Sequence, residues 1–471
     1  MPIILGMSDE ASVPPCPNCA KLEKRVVELE ASVALLKAML RSNSSNSSKP
    51  PSSDAPWQAP LSSKPRSGKR PGGQPGHAGM FRERLPVERV TRIVDYTPKV
   101  CDYCQASLAG QYGPHLPETT WHQVAELPPL LAEITEHRGH ERTCACCGKT
   151  SCAEIPADIR AHCTGPHLAA TLSYMSGCLH ASKRAIEETC KTLFGVALSL
   201  GTISKLEAQT SAALATPHAE ALAAVRAAPV KNVDETGWAK RGKLCWLWLA
   251  ATASIAVFAI HAKRGKAGFK NLLGQAATGI VCSDRWSVYA LVDVMRRQLC
   301  WAHLKRDFQK IKELGGEARK TGNAGLRTVK KVFSVWNEWQ EKNIERSEMQ
   351  ARLAPCLIAL YRALERGRDG PDKKVRRFSK RLLKDYEALW LFADVAGVEP
   401  TNNHAERCLR PAVMWRKRSF GNHSEEGCRF TERLLTAVKT LKLQKRPVLE
   451  YLKSAVLNHR AGRPVPSLLA A

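Results

Sequence analysis

The sequence predicts a multidomain α+β chain: an α/β core with a helical insertion, preceded by a heptad segment, a cysteine-paired module and a small helical domain. Three observations carry that prediction. From Pro229 onward, short apolar runs alternate with helical patterns, the order expected of a sheet covered by helices. Inside that region, 121 residues separate Asp284 from Glu406, and most of them read as charged helix. Ahead of Pro229, a heptad repeat, a Ser/Pro-rich tract and paired cysteines follow one another, each a different kind of segment.

The 471 residues are enough for roughly three or four domains. Lys plus Arg is 71 against 44 for Asp plus Glu, a formal net charge of +27. That excess suits a polyanion, with nucleic acid ahead of an anionic membrane, and carries no sequence specificity. The opening "MPIILGMSDE" has no basic stretch followed by an apolar run, and the 17 cysteines are an odd number. A reducing compartment is expected, where paired cysteines point to metal rather than disulfides.

Leu22, Val26, Leu29, Val33, Leu36 and Leu40 alternate spacings of four and three, a heptad seam. Residues 1–41 are therefore expected to form a coiled-coil segment, with self-association or packing on the same chain both open. Cys16 and Cys19 form an isolated CxxC, a weak metal signal. Residues 42–79 are rich in Ser, Pro, Gly and basic side chains and are expected to be a mobile basic linker.

Residues 80–159 carry Cys101-Asp-Tyr-Cys104 and, 39 residues later, Cys144-Ala-Cys-Cys147. Two CxxC knuckles supply four thiolates for one tetrahedral zinc, so a zinc-binding domain is expected; plain buried cysteines are the alternative. Cys146 and Cys152 leave the ligand choice open by a residue or two. "WHQVAEL" and "AEITEHRGHERT" read as extended and predict strands between the knuckles. Residues 160–228 read as helices, with a helix, a short turn and a second helix starting at Ser199 or Thr202. This fits a helix-turn-helix-like DNA-binding domain with Lys205 facing DNA, though any small helical domain would read alike.

In residues 229–427, "VKNVDETGWAK" predicts a strand ending at Asp234. The uncharged run Leu244–Ala262 approaches membrane-span length, but Thr252 and Ser254 break it, and two strands joined by a tight turn fit better. "KAGFKNLLG" predicts a helix, "GIVCSDRWSVY" a strand ending at Asp284 and then a helix, and "RRQLCWAHLKRDFQKI" a strand and a helix. A three-strand meander followed by alternating strands and helices is the order of an RNase H-like core. A helical insertion is expected over about 310–395, and a C-terminal helical region over 428–471.

Asp at a strand end is commonly a cap or turn residue, and an exposed Glu beside Arg is commonly a surface salt bridge. Together, Asp234, Asp284 and Glu406 suggest more. Two-metal phosphodiester chemistry needs several carboxylates converging on two divalent ions, and oxygen-only ligands favour Mg2+ or Mn2+. Glu406 is expected on a helix capped by Asn402 or Asn403, with Arg407, Arg410, Arg416, Lys417 and Arg418 around it facing phosphates.

With "GKRPGGQPGHAG", the paired knuckles, "VDETGW", "CWAHLKRDF" and "NNHAERCLRP" in order, the chain resembles the large DDE transposase (TnpC-type) of the insertion-sequence family numbered sixty-six. The resemblance implies an RNase H-like core that joins a DNA 3′ end to a target strand. Its three acids fall on Asp234, Asp284 and Glu406, and its knuckles on Cys101, Cys104, Cys144 and Cys147. It implies two Mg2+ or Mn2+ ions at the catalytic site, a structural Zn2+, and DNA at both the element ends and the target. A homo-oligomer on DNA, small accessory proteins and a bacterial cytoplasmic, nucleoid-associated location are expected. His303 and Asp307 match the motif without an assigned role. A repressor that has lost catalysis, and a nuclease that cuts without joining, are the other readings.

Overall fold

The computed structural model describes residues 17–41, 47–48, 84–110, 122–342 and 344–469. The tract expected to be a linker lies outside the described residues apart from 47–48, as does Cys16. The chain divides into two compact units: Pro60–Glu133 with Leu193–Gly195, and the remainder. Their boundary runs through the segment read as one cysteine-paired domain.

Helix α1 (Pro17–Arg41) carries the heptad seam, and Leu22, Val26, Leu29, Val33 and Leu36 are all exposed. In the smaller unit, Gln123 brackets Leu85 by hydrogen bonds to its N–H (2.9 Å) and its C=O (3.0 Å). The strands expected from "WHQVAEL" do not form; described residues 122–140 are neither helix nor strand. The apolar side chains meant for a sheet face, Val124, Leu127, Leu131 and Ile134, stay exposed, and without a partner strand or a buried face nothing holds such a segment extended. In the larger unit, β1 (Glu141–Thr143) and β2 (Thr150–Cys152) form a short antiparallel hairpin.

After the single turn α2 (Ala157–Arg160) come α3 (Pro166–Leu179), α4 (Lys183–Phe194), α5 (Leu200–Ala213) and α6 (Ala215–Ala227). Ser199 caps α5 by accepting the Thr202 N–H (3.1 Å). Buried side chains fasten α5 to α3: Ser173 donates to Thr210 (2.8 Å) and Ser176 to Glu207 (2.7 Å). Lys205 lies on the exposed face of α5. Ala170, Ala213, Leu214, Ala221 and Val225 of these helices belong to the same core as the sheet, so the boundary expected at 228 does not separate two cores.

The sheet has strands β3 (Val230–Lys240), β4 (Lys243–Ala251), β5 (Ala256–His261), β6 (Ile280–Ser283) and β7 (Arg297–Leu299), in the order β5-β4-β3-β6-β7. The first three are an antiparallel meander; β6 and β7 add on parallel. Thr252 and Ser254 form the tight turn between β4 and β5, with the Thr252 hydroxyl accepting the N–H groups of Ser254 and Ile255. The uncharged run is thus two strands, and no helix among the described residues is long and apolar enough to cross a membrane. Helix α7 (Lys266–Leu273) covers the β4–β5 side. After β6 the chain makes two 3-10 turns instead of the expected helix.

Alternate residues of β6 face opposite cores: Val281 lies in the one shared with α3, α5 and α6, and Cys282 in the other. The second core is built by α8 (Trp301–Glu313), α9 (Ala318–Lys342), α10 (Arg346–Asp369), α11 (Lys373–Lys384) and α12 (Leu391–Asp394) around Trp301, Phe308, Leu360 and Trp390. The chain then returns to the sheet as α13 (Asn403–Ser419), α14 (Glu425–Leu443) and α15 (Val448–Arg460). The boundary expected at 427/428 cuts α14, which is part of the core.

Helix α14 covers the edge strand β5. Thr440, Thr436 and Glu432 accept the N–H groups of Ala256 (3.1 Å), Phe258 (3.0 Å) and Ile260 (2.5 Å). Four residues of helix rise about 6 Å and two of strand about 6.7 Å, so an i, i+4, i+8 row can track alternate strand amides. The row blunts an edge that would otherwise offer unpaired N–H groups.

Candidate active site

Asp234 does not end its strand, as the sequence suggested. Pairing with β4 carries β3 on to Lys240, with Asp234 opposite Leu249. What stops near Asp234 is the other side: β6 pairs only with Val230–Asn232. Continuing that parallel register brings Asp234 abreast of Asp284, the first residue after β6. Past this point β3 has β4 as its only strand neighbour until Asn422 bridges Lys240, and the carboxylates line the gap between.

Each aspartate also does the modest job expected at such positions. Asp234 Oδ1 accepts the Glu235 N–H (2.9 Å), and Asp284 Oδ1 accepts the Trp286 N–H (2.9 Å). These bonds orient the carboxylates. Among the described residues, the second oxygen of each has no hydrogen-bond partner.

Glu406 reaches the same gap from the first turn of α13. The expected cap is absent: Asn402 is at the N-cap position but does not cap the helix. Its buried side chain instead donates to the Val233 carbonyl (2.8 Å) and accepts from Asn232 (2.9 Å), while its N–H meets Cys300 Sγ (3.2 Å). The far end of α13 is held by Asn422, which accepts from Trp238 Nε1 (2.7 Å) and donates its own N–H to Ala239 O (2.8 Å). Two asparagines thus fix the helix along β3 and Glu406 beside Asp234.

Burial pushes the Asp234 carboxyl well above the usual carboxylate range, and the charges of Glu235, Asp284 and Glu406 push it further; only the Glu235 N–H opposes them. Among the described residues, no three His, Cys, Asp or Glu side chains close into a metal-holding group.

Two neighbours join the acids: His303, named in the sequence without a role, and Glu235, which sequence reasoning missed. His303, at the start of α8, has its Nδ1 3.7 Å from Glu406, buried and without a hydrogen-bond partner among the described residues. Burial and then Arg306 pull its imidazole below the ordinary range, while Asp284, Glu406 and Asp307 push it up. Asp307 holds Arg285, which follows Asp284, by two contacts of 2.9 and 2.8 Å. The second is Glu235, whose side chain is 2% exposed and takes both Nε (3.0 Å) and Nη2 (2.8 Å) of Arg264 together with the Tyr289 hydroxyl. A Glu directly after the predicted Asp was the available signal, but alternation along a strand gave no reason to place both in one polar network.

Of the basic residues expected near Glu406, Arg407, Arg410, Lys417 and Arg418 are exposed. Arg418 contacts the Leu179 carbonyl (3.3 Å). Arg416 differs: it points back to β3, donating to Thr236 Oγ1 (3.1 Å) and the Gly237 carbonyl, so its guanidinium supports the strand.

The knuckles share one backbone design, though they fall in different units. Cys101 O accepts the Gln105 N–H and Cys101 N donates to Ala106 O, both at 2.9 Å. Cys144 O accepts the Gly148 N–H (2.9 Å) and Cys144 N donates to Lys149 O (2.8 Å). Gln105 (φ 59°) and Gly148 (φ 69°) occupy the same left-handed position. This register matches Cys147, not Cys146, to Cys104. Backbone N–H groups of the second Cys and the residue before it lower the thiol pKa of Cys101 and of Cys144.

Two comparisons bear on identity. A 25% identical relative, "Uncharacterized protein y4hP" of Sinorhizobium fredii (strain NBRC 101917 / NGR234), aligns over 85% of this chain and 76% of its own length. A second from the same strain, "Uncharacterized protein y4qI", is 25% identical over 41% of this chain, and the match spans 38% of that relative's length. A model described as "Family of unknown function (DUF6444)" matches residues 13–83. The model "Transposase IS66 family" matches residues 162–429, more than half of the sequence and the whole span from α3 through Glu406, and the chain belongs to that family.

Proposed function

We propose that the chain is a divalent-metal-dependent DNA transposase, with Asp234, Asp284 and Glu406 as one catalytic site on an RNase H-like core. The observation that carries this reading is the convergence of three acids: Asp234 and Asp284 come abreast in the β3–β6 register, Glu406 reaches them from the first turn of α13, and the charges together raise the Asp234 carboxyl. Structure alone would gain from replacing such a group. The sheet order, a three-strand meander extended by two parallel strands, supports the RNase H-like assignment.

The donor set fits Mg2+ or Mn2+: hard carboxylate oxygens, two of them oriented by backbone N–H groups and free on the other side. Bound there, two such ions would sharpen the attacking oxygen and stabilise the leaving one. The chain's own residues do the rest. Asn402 and Asn422 hold Glu406 against β3. Arg407, Arg410, Lys417, Arg418 and Lys205 attract the phosphate backbone of element ends and target without reading bases. The knuckle Cys101 with Cys104 and the knuckle Cys144 with Cys147 would each offer a pair of thiolates to a structural Zn2+, and the exposed seam of α1 would join copies on DNA.

Glu406→Gln tests the reading. It preserves volume and removes one negative ligand, so cleavage and strand joining should be lost while DNA affinity stays or improves. Arg410→Ala should lower affinity and flatten its salt dependence. Near-normal joining by Glu406→Gln, measured on the same preparation with Mg2+ and then Mn2+, removes Glu406 from the site. A wild type that cuts without joining is a nuclease, and one that binds without cutting is a repressor.

A further inference from the structure

We propose that α11 is a second DNA-backbone contact, laying one strand of the duplex beside the acidic site. The proposal rests on the functional reading above and adds a surface on the helical insertion. Helix α11 reads "KKVRRFSKRLLK", with no acidic residue. Lys373, Lys374, Arg377, Lys380, Arg381 and Lys384 are all exposed. Among the described residues, none of these six side chains has a carboxylate or other hydrogen-bond partner.

The acids nearest in sequence are engaged elsewhere. Asp372 caps the helix by accepting the N–H groups of Lys374 (2.7 Å) and Val375 (3.0 Å). Asp385 pairs with the buried Arg297 (2.8 Å), and Asp369 with Arg368 (2.9 Å). Like charges at i, i+4 repel, as at Arg377 and Arg381 or Lys380 and Lys384. A helix that only needed solvation would alternate signs.

The arrangement suits a phosphate backbone. At about 100° per residue the cations occupy one continuous arc, and the helix is about 16 Å long from Lys373 to Lys384. A DNA strand offers a phosphate for every ~3.4 Å of axis, so several fall within that length. The opposite arc does not suit a membrane: Val375 and Leu382 are buried and Phe378 packs on Phe308, leaving no apolar face to enter a bilayer. Phe378 also ties the helix to the site. Its ring carries the Arg285 guanidinium at 4.9 Å, and Arg285 is the residue after Asp284. Helix α11 is thus packed, through Phe378 and Arg285, against the loop that carries Asp284.

The test uses the full chain with Arg377→Gln, Lys380→Gln and Arg381→Gln combined, and duplex DNA of arbitrary sequence as probe. Affinity is measured between about 50 and 200 mM salt, where each contacted phosphate contributes about 0.9 to the log–log slope. The triple variant should lose up to about 2.7 of that slope. The charge-keeping variant Arg377→Lys with Arg381→Lys should retain it. An unchanged slope in the triple variant overturns the proposal, as does a loss in the charge-keeping variant, which would report a folding defect. It is also overturned if the DNA slope holds and only RNA or anionic-vesicle binding falls. These failures differ from failure of the acidic site, in which the wild type binds DNA with full slope but Glu406→Gln still joins strands.

Discussion

Asn402→Asp should couple protein stability to pH through the joint that carries Glu406. Asn402 is 1% exposed and bridges two strand residues, accepting from Asn232 and donating to the Val233 carbonyl. The substitution keeps the volume and the acceptor but, when ionised, deletes the donor. A buried carbonyl left without its donor costs about 1–3 kcal/mol. The introduced carboxyl is also buried against β3, so its charged form is disfavoured and its folded pKa rises above the ordinary value of about 3.9. A raised folded pKa gives stability that is present at low pH and lost as pH climbs through that value. Protonated, the introduced group can still donate to Val233. The deficit relative to wild type should therefore be small near pH 4 and reach about 1–3 kcal/mol or more by about pH 8. Urea unfolding of both proteins across that range reads it directly. A deficit independent of pH, or no deficit, would mean that Asn402 does not hold α13 to β3 in the way described.

Three other outcomes follow from the geometry. Lys231 is buried with its ammonium on the carbonyls of Arg226 (2.6 Å) and Thr278 (2.9 Å), and burial lowers its pKa to about 8. The unfolded chain then binds more protons between about 8 and the ordinary ~10.4, so wild type should gain stability as pH rises through that window, and Lys231→Met should lose that gain; an equal change in unfolding free energy between about pH 7.5 and 9.5 in both proteins would contradict it. Thr436→Val removes the acceptor of the Phe258 N–H at the covered sheet edge and should cost about 1–3 kcal/mol while speeding hydrogen exchange at that amide; protection equal to wild type would show that the hydroxyl does not hold the edge. Zinc measured on the purified chain should fall with Cys147→Ser and persist with Cys146→Ser, and the reverse order would shift the knuckle by one residue.

What the sequence made legible was the part written in local chemistry. Thr252 and Ser254 interrupt an apolar run with groups that form a turn, and the strands on either side follow. Ser199 is a capping residue where α5 begins. Asp284 ends its strand because β6 is short and its loop needs an Asx acceptor. Less legible was anything decided by a distant partner. Asp234 reads as a strand end, yet β3 runs past it because β4 pairs that far. Asn402 reads as a cap, but a buried carbonyl more than 160 residues away in sequence claims its amide. The extended reading of "WHQVAEL" assumed a sheet face that no strand among the described residues supplies. Glu235 and His303 entered the site through side chains that no spacing rule connects to them.

The closed neck of the second core has a further consequence. The Trp301 N–H donates to the Pro400 carbonyl (2.9 Å), so the chain leaves for α8–α12 and returns at the same point. Directly beyond that neck, Asn402 engages β3. The loops between α9, α10 and α11 can therefore change length without altering the reach of Glu406, since loop entropy changes slowly with length, whereas α8 is held in place by bringing His303 to Glu406. Evolution and engineering can treat the two halves differently. The outer helices are free to vary their exposed faces, such as the cationic face of α11, whereas α8 and the few residues from Pro400 to Glu406 must stay in step with β3.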